Sequence, residues 1–435
     1  MEKAGENEEA LAYFSQAAEM AASKYAIDEA AEFYVRALAL IPNNDPEKRY
    51  PLLMGQEKMF RLQGDRDGQR KVLNKLEVIV DTLADQQKQA ELLIRKAWLE
   101  FWTSEFREGL TYANEAVMLA EKIGDPKLSR QAYYVRAWML MLLDNTDSAI
   151  EQAEAALSLA RNAGDRYAVG NTLNILGLIK NSQEDFYTAH NYLEEFLAIA
   201  RELGDKEREI TALNNLGVAL TRLGDFQAAQ DTYLQILKIA QETGYQSSKS
   251  TSYINLGWLT SAWGNWEAAR QYCETGIKLK KEQEQVDAVA EGLLWLGNTF
   301  LGLNQPGNAV AAYKESQEIR LDLDQPHYIV EIQAGLARVA LAQDDLTTAQ
   351  YYSREILKYL SEQGSFRGAW EPLRIYLTCY RVLHSAEDPQ AENILMTAYD
   401  FLQQQAARIP EETYRYKFLN DIPWHREIVQ AWEAR

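Results

Sequence analysis

Glycine recurs in this chain every 40 residues. Gly124, Gly164, Gly204 and Gly244 keep that spacing, and the first three are each followed by aspartate. A second series holds the same interval at Gly177, Gly217, Gly257 and Gly297, flanked in phase by Ala97, Ala137 and Ala337. A third runs through Ala149, Ala189, Ala229, Ala269, Ala309 and Ala349. Three registers with one period mean that a single supersecondary unit is repeated along the chain.

Residues 206–245 make one such unit. Ile210, Leu213, Leu216, Leu220 and Leu223 follow helical rather than alternating spacing. Gly224-Asp225 predicts a stop and a restart, because glycine takes the left-handed conformation of a helix C-cap and aspartate caps the next N-terminus. A second helix carries Phe226, Ala229, Tyr233, Ile236 and Leu237 and closes at Gly244. Gly217 lies inside the first helix, where glycine costs roughly 0.8–1 kcal/mol against alanine. Close passage of the partner helix is the expected compensation, with Ala229 small for the same reason. The aromatic after the turn (Phe106, Phe186, Phe226, Trp266) is expected to plug the junction between units.

The Leu-Gly steps (Leu176-Gly177, Leu216-Gly217, Leu256-Gly257, Leu296-Gly297), the turns Gly224-Asp225 and Gly264-Asn265, and the small residues Ala229 and Ala269 together resemble the tetratricopeptide repeat in its forty-residue form. The resemblance implies an all-α fold, a right-handed α-solenoid of about ten stacked antiparallel helix pairs forming a tetratricopeptide superhelix. The phase places the pairs at 7–42, 46–84, 86–125 and onward to 326–366 and 368–409. The expected organisation is an N-terminal helical repeat over 1–42, a continuous solenoid over 43–409 and a C-terminal capping segment over 410–435. The stretch Ile41-Pro42-Asn43-Asn44-Asp45-Pro46 is its weakest joint. The pattern fades before residue 85, where Glu57 and Gln69 stand in for small residues, and again after 365.

A net charge of −19 repels phosphate backbones and argues against direct nucleic-acid binding. The densest basic run, Lys278, Lys280 and Lys281, is expected on a solvated helix face. Cys273 and Cys379 offer neither a disulfide framework nor metal spacing and are expected to be buried free thiols, which suits the cytoplasm. The start MEKAGENEEA lacks the apolar run of a signal peptide, and no stretch approaches the ~18 apolar residues of a membrane span. His190, His327, His384 and His425 show no metal-site spacing, and His425 is expected at the surface. With no phosphate loop and no nucleophile motif, the chain is expected to be non-catalytic, without cofactor or metal.

In tetratricopeptide arrays the first helix of each unit lines a concave groove, and that implication places the partner-binding positions here. Trp98, Trp102, Tyr134 and Trp138 form an aromatic cluster, with Trp258 further on. Asn174, Asn214, Asn215 and Asn255 form a polar ladder whose amides both donate and accept, as a peptide backbone requires. Inter-helix packing of the tryptophans and solvation of the asparagines is the competing account. The matching positions carry no lysine, so a clamp for a terminal carboxylate is not expected.

The ends carry looser likenesses. Tyr25-Ala26, Glu29-Ala30, Tyr34, Ala37 and Leu38 resemble the first repeat after the ATPase core in bacterial signal-transduction ATPases with numerous domains. Phe418-Leu419-Asn420-Asp421-Ile422-Pro423 followed by Arg426-Glu427-Ile428 resembles the terminal cap of that group. These imply a sensor arm, with an ATPase or effector domain in cis or in trans. The expected function is a regulatory scaffold for a protein or peptide. A small-molecule or autoinducer-type sensor and a structural spacer or oligomerisation arm are the alternatives.

Overall fold

The computed structural model describes residues 2–24, 26–366 and 368–435, with side chains from residue 7 onward. Tyr25, part of the N-terminal likeness, lies outside them. The chain divides into two compact units, residues 1–179 and 180–435. All regular structure among the described residues is helical. The first unit contains α1 (Glu2–Ser23), α2 (Ile27–Ala39), α3 (Pro46–Gln63), α4 (Arg66–Leu83), α5 (Gln86–Trp102), α6 (Phe106–Ile123), α7 (Pro126–Leu142) and α8 (Thr146–Asn162). Next in sequence comes α9 (Arg166–Ser182), within which the division falls. The second unit then contains α10 (Phe186–Glu202), α11 (Lys206–Leu223), α12 (Phe226–Thr243), α13 (Gln246–Trp263), α14 (Trp266–Glu282), α15 (Val286–Gly302), α16 (Pro306–Asp322), α17 (Ile329–Ala342), α18 (Leu346–Gln363), α19 (Pro372–Ser385) and α20 (Gln390–Ala407). The helices α1 to α20 therefore start and stop where the phase put them. The cap is two helices, α21 (Glu412–Asn420) and α22 (Pro423–Glu433). No helix among the described residues is long and apolar enough to cross a membrane.

Helix length is set by one backbone feature. From Gly64 to Gly364 a residue with positive φ falls every 20 positions, eight glycines and eight other residues. At Gly64 (φ 76°) the helix ends in the left-handed region, and Asp65 starts the next by accepting the Gly68 N–H at 2.9 Å.

The mid-helix glycines answer to rings rather than to the partner backbone. A Cβ on Gly217 would lie 2.6 Å from the Tyr233 ring, and one on Gly297 would lie 2.6 Å from the Tyr313 ring. Tyr313 also fills the space a side chain on Gly335 would need. Gly257 meets the Cys273 backbone N at 3.2 Å, with the Cys273 Sγ nearer still, and Gly276 meets the Ile254 backbone N at 3.0 Å. Where the sequence loses its small residues, Gln69 donates to Glu57 at 2.7 Å in a fully buried pair, and Arg95 completes the ion pair.

The second unit closes on itself. Gln405 donates to Glu184, Arg408 donates to the Gln183 carbonyl at 3.1 Å, and the Tyr414 hydroxyl lies 3.2 Å from His190 Nε2. Lys417 pairs with Asp225 at 2.7 Å. A Cβ on Gly224 would sit 2.7 Å from the Lys417 carbonyl, so this turn glycine also admits the cap. Phe418, Ile422 and Ile428, from the terminal likeness, are buried.

Two expectations fail here. His425 is 5% exposed, with Nδ1 donating to the Phe418 carbonyl at 2.8 Å, and burial pushes its pKa down to about 3. Lys280 is buried in the basic run, donating to Thr251 at 2.8 Å and to Gln285 at 2.6 Å. Both cysteines are free and buried, as expected.

Replacing Gly217 by leucine is expected to lower stability by about 1–3 kcal/mol in urea unfolding, because the Tyr233 ring has nowhere to go. His425 predicts a pH dependence. Its folded pKa lies below the unfolded ~6.5, so its contribution is complete above that value and is lost as the pH falls towards the folded pKa. Between about pH 7.5 and pH 5 the loss is about 2 kcal/mol, and His425→Gln is expected to remove that part of the slope.

Candidate functional site

Repeat phase brings one register of first-helix positions together inside the second unit. Trp258, Asn298, Arg338 and Thr378 are 40 residues apart. Arg338 donates to Asn298 Oδ1 at 2.8 Å and to Thr378 Oγ1 at 3.0 Å, and the Tyr313 hydroxyl donates to the same Asn298 oxygen at 2.8 Å. Burial and then the charge of Arg374 pull the Arg338 pKa down to about 10.

The chain itself fills this face. Between α18 and α19 the repeat phase breaks, and the described residues from Gly364 to Glu371 are non-helical. Trp370 packs on Trp258 and Trp295, with ring centroids 5.5 and 6.0 Å apart. Trp258 and Trp295 stack at 5.7 Å. Glu331 accepts the backbone N–H groups of Trp370 and Glu371, both at 2.9 Å. Glu371 accepts from Trp258 Nε1 at 3.0 Å and from Arg374 at 2.7 Å. Burial, and secondarily the neighbouring Glu371 charge, raises the Glu331 pKa. Arg222 lies among the Phe186, Trp258 and Trp370 rings at 5.4–5.8 Å, beside a cavity of about 30 Å³ that Glu371 and His425 also line. That space holds about one water molecule.

The expected binding positions divide between the units. In residues 1–179, Trp98, Phe101, Trp102, Tyr134 and Trp138 form one ring network with centroid separations of 5.0–5.8 Å. Trp102 is 54% exposed, with Arg66 over its ring, while Trp98, Tyr134, Trp138 and Asn174 are partly exposed. In residues 180–435, Asn255 donates to Asn214 at 2.9 Å and Asn214 to Asn215 at 3.2 Å, so the ladder is internally hydrogen-bonded. Asn214 and Asn215 remain partly exposed, Asn255 is buried, and Trp258 is 2% exposed beneath Trp370. Sequence reasoning missed Arg222, Glu331, Trp370 and Glu371. The one local signal for the inserted segment was the loss of phase after 365.

A separate cleft of about 830 Å³ opens in the second unit, between residues 180–185, residues 364–366 and helices α19 and α20. Among the described residues no group of three His, Cys, Asp or Glu side chains is placed to hold a metal ion.

Residues 131–318 match the family model for the MalT-like tetratricopeptide region. No curated protein matches the sequence. Among solved structures, the apo quorum sensor NprR from B. thuringiensis superposes with a TM-score of 0.61 at 16% identity, over 81% of this chain and 97% of that one. A Rap protein complexed with Competence and Sporulation Factor gives 0.55 at 14% identity, over 91% of this chain and all of the other. A signal-transduction ATPase with numerous domains (STAND) from Pyrococcus horikoshii, carrying a tetratricopeptide repeat sensor, gives 0.52 at 18% identity. It is matched over 77% of this chain and 53% of its own, so the chain spans about half of that protein. At these identities the likeness is one of fold. With the repeat registers and the family match over residues 131–318, the chain has the tetratricopeptide-type helical fold and resembles the sensor region of that STAND ATPase.

Proposed function

We propose that this chain is a non-catalytic regulatory module that binds a peptide or protein partner on the first-helix face of its repeats. In residues 1–179, Trp98, Trp102, Tyr134 and Trp138 are its anchors and Asn174 offers a polar contact; in residues 180–435, Asn214 and Asn215 offer polar groups of their own. One observation carries this reading. Trp98, Trp138 and Trp258 hold the same register position, yet Trp258 is covered by a segment of the chain itself while Trp98 and Trp138 stay partly open beside exposed Trp102. The covered position supplies the template. Its occupant is non-helical, has the backbone N–H groups of Trp370 and Glu371 bound by a carboxylate, and inserts an aromatic side chain followed by an acidic one.

The neighbours support a regulatory role, since one is a quorum sensor, one holds a signalling factor and one joins a repeat sensor to an ATPase. A partner ATPase or effector domain, in cis or in trans, fits the same reading. A cytoplasmic setting accords with thiols that burial keeps protonated, Cys379 being pushed up to about 12.

The test is affinity capture from the source lysate with the wild type and with Trp98→Ala/Trp138→Ala, both checked for equal helicity. Loss of two anchor rings is expected to weaken a captured partner by at least about thirtyfold. Equal capture by the two baits contradicts the assignment.

A further inference from the structure

The first helices of residues 1–179 form a positive layer in a negative protein. Helices α3, α5 and α7 carry ten Lys and Arg against four Asp and Glu, in a chain of net charge −19. All four carboxylates are engaged. Glu57 pairs with Arg95, Glu100 with Arg70 at 2.8 Å and Glu47 with Lys88 at 4.0 Å, while Glu91 accepts from the Tyr50 hydroxyl at 2.9 Å. The side chains of Lys58 and Arg61 have no partner among the described residues. Arg66, at the start of α4, donates to the Arg61 carbonyl and to Gln69 and lies over the Trp102 ring at 5.1 Å, so it too is without a carboxylate. Two buried polar atoms of α3, α5 and α7 lack a partner, Arg136 Nε and Trp138 Nε1, and both are donors. Glu105, at the turn after α5, is exposed and makes no ion pair among the described residues, but it lies beyond these helices. What the layer lacks is acceptors.

The unpaired cations adjoin the aromatic network. Lys58 holds the register of Trp98 and Trp138, so that register does carry a lysine, one repeat before Trp98. Arg61 and Leu62 stand in the same relation to Phe101 and Trp102. The Glu57–Arg95 and Tyr50–Glu91 contacts join α3 to α5, and the Trp98–Tyr134 and Phe101–Trp138 ring contacts join α5 to α7. Leu62, Trp102 and Leu142 end the three helices and are 42%, 54% and 37% exposed, so an apolar edge lies open beside the cations. The occupant of the covered repeat has the matching composition. Trp370 packs on Trp258, and the Glu371 carboxylate accepts from Trp258 Nε1 and from Arg374.

We infer that the face of α3, α5 and α7 takes an acidic segment of a partner protein, one that carries an aromatic residue beside its carboxylates. The aromatic ring packs on Trp98, Phe101 and Trp138, and the carboxylates pair with Lys58, Arg61 and Arg66. This rests on the reading that the first-helix face of residues 1–179 binds a partner, and it adds that partner's chemistry. A nucleic acid also presents anions, but a protein of this net charge repels a long polyphosphate, whereas a short segment meets chiefly the local cations.

The experiment titrates the full chain into labelled probes and reads fluorescence anisotropy. The probes are the capped peptides Asp-Trp-Glu-Asp-Leu, Asn-Trp-Gln-Asn-Leu and Lys-Trp-Lys-Lys-Leu, and an oligothymidylate. Saturable binding of the acidic peptide is expected, at least about tenfold tighter than the neutral one and weakening as salt is added. Lys58→Glu/Arg61→Glu, checked for unchanged helicity, is expected to weaken the acidic peptide at least about tenfold and to leave the neutral one unchanged. Trp98→Ala/Trp138→Ala is expected to weaken both. Sensitivity to the tryptophan pair alone leaves the partner site standing and overturns its acidic chemistry. Sensitivity to the charge pair alone overturns the aromatic part of both readings. Binding of the lysine peptide as tight as that of the acidic one, no saturable binding of the acidic peptide below about 1 mM, or tighter binding of the oligothymidylate overturns the inference.

Discussion

Helix length is the constraint on which this chain depends. A left-handed residue every 20 positions ends each helix at the same count, so alternate helices return in register every 40. Side chains 40 apart then meet. Arg338 reaches Asn298 and Thr378, and Glu331 reaches the backbone of Glu371, each across that interval. Asn255 reaches Asn214 across 41. The contacts that build the interior of the second unit are therefore consequences of periodic capping. Glycine meets the backbone requirement at no steric cost, and the eight other residues at these positions accept some strain for the same geometry.

The interior of the second unit changes where the period fails. At Gly364 the series of caps ends, and the next first helix begins only at Pro372. In this stretch Phe366 and Ala369 are buried, and Trp370 and Glu371 meet the tryptophan of an earlier repeat. This arrangement places Arg222, Arg338 and Arg374 near Glu331 and Glu371, with Glu184 also beside Arg222. Buried charge without pairing is costly, and the aromatic rings around Arg222 add to what these carboxylates supply. The helices after the plug return to α10 and α11, so the segment is held from both sides.

Much of the fold was legible because its determinants are local. Gly-Asp steps set the caps, and apolar spacing set the helix faces. The partner of the mid-helix glycines was also within reach. Tyr233, Cys273 and Tyr313 each follow their glycine by 16 residues, so the side chain that fills each notch is written in the sequence. The burial of Trp258 was not legible, because its partner Glu371 lies 113 residues away, in a stretch where the helical phase is lost. His425 misled for a similar reason. Its flanking charges suggest solvent, but the fold presses the cap onto α11 and buries the ring. Lys280 sits in a basic run, and only its neighbours across the repeat, Thr251 and Gln285, explain its burial.

The central claim is that the first-helix face of residues 180–435 is occupied by the chain's own segment through Glu331. Amide hydrogen exchange at Trp370 and Glu371 tests it most directly. Both amides are expected to exchange as slowly as the core of α17, and to lose that protection in Glu331→Ala while α17 keeps its own. Exchange of both amides in the wild type at the rate of an exposed loop would contradict the account.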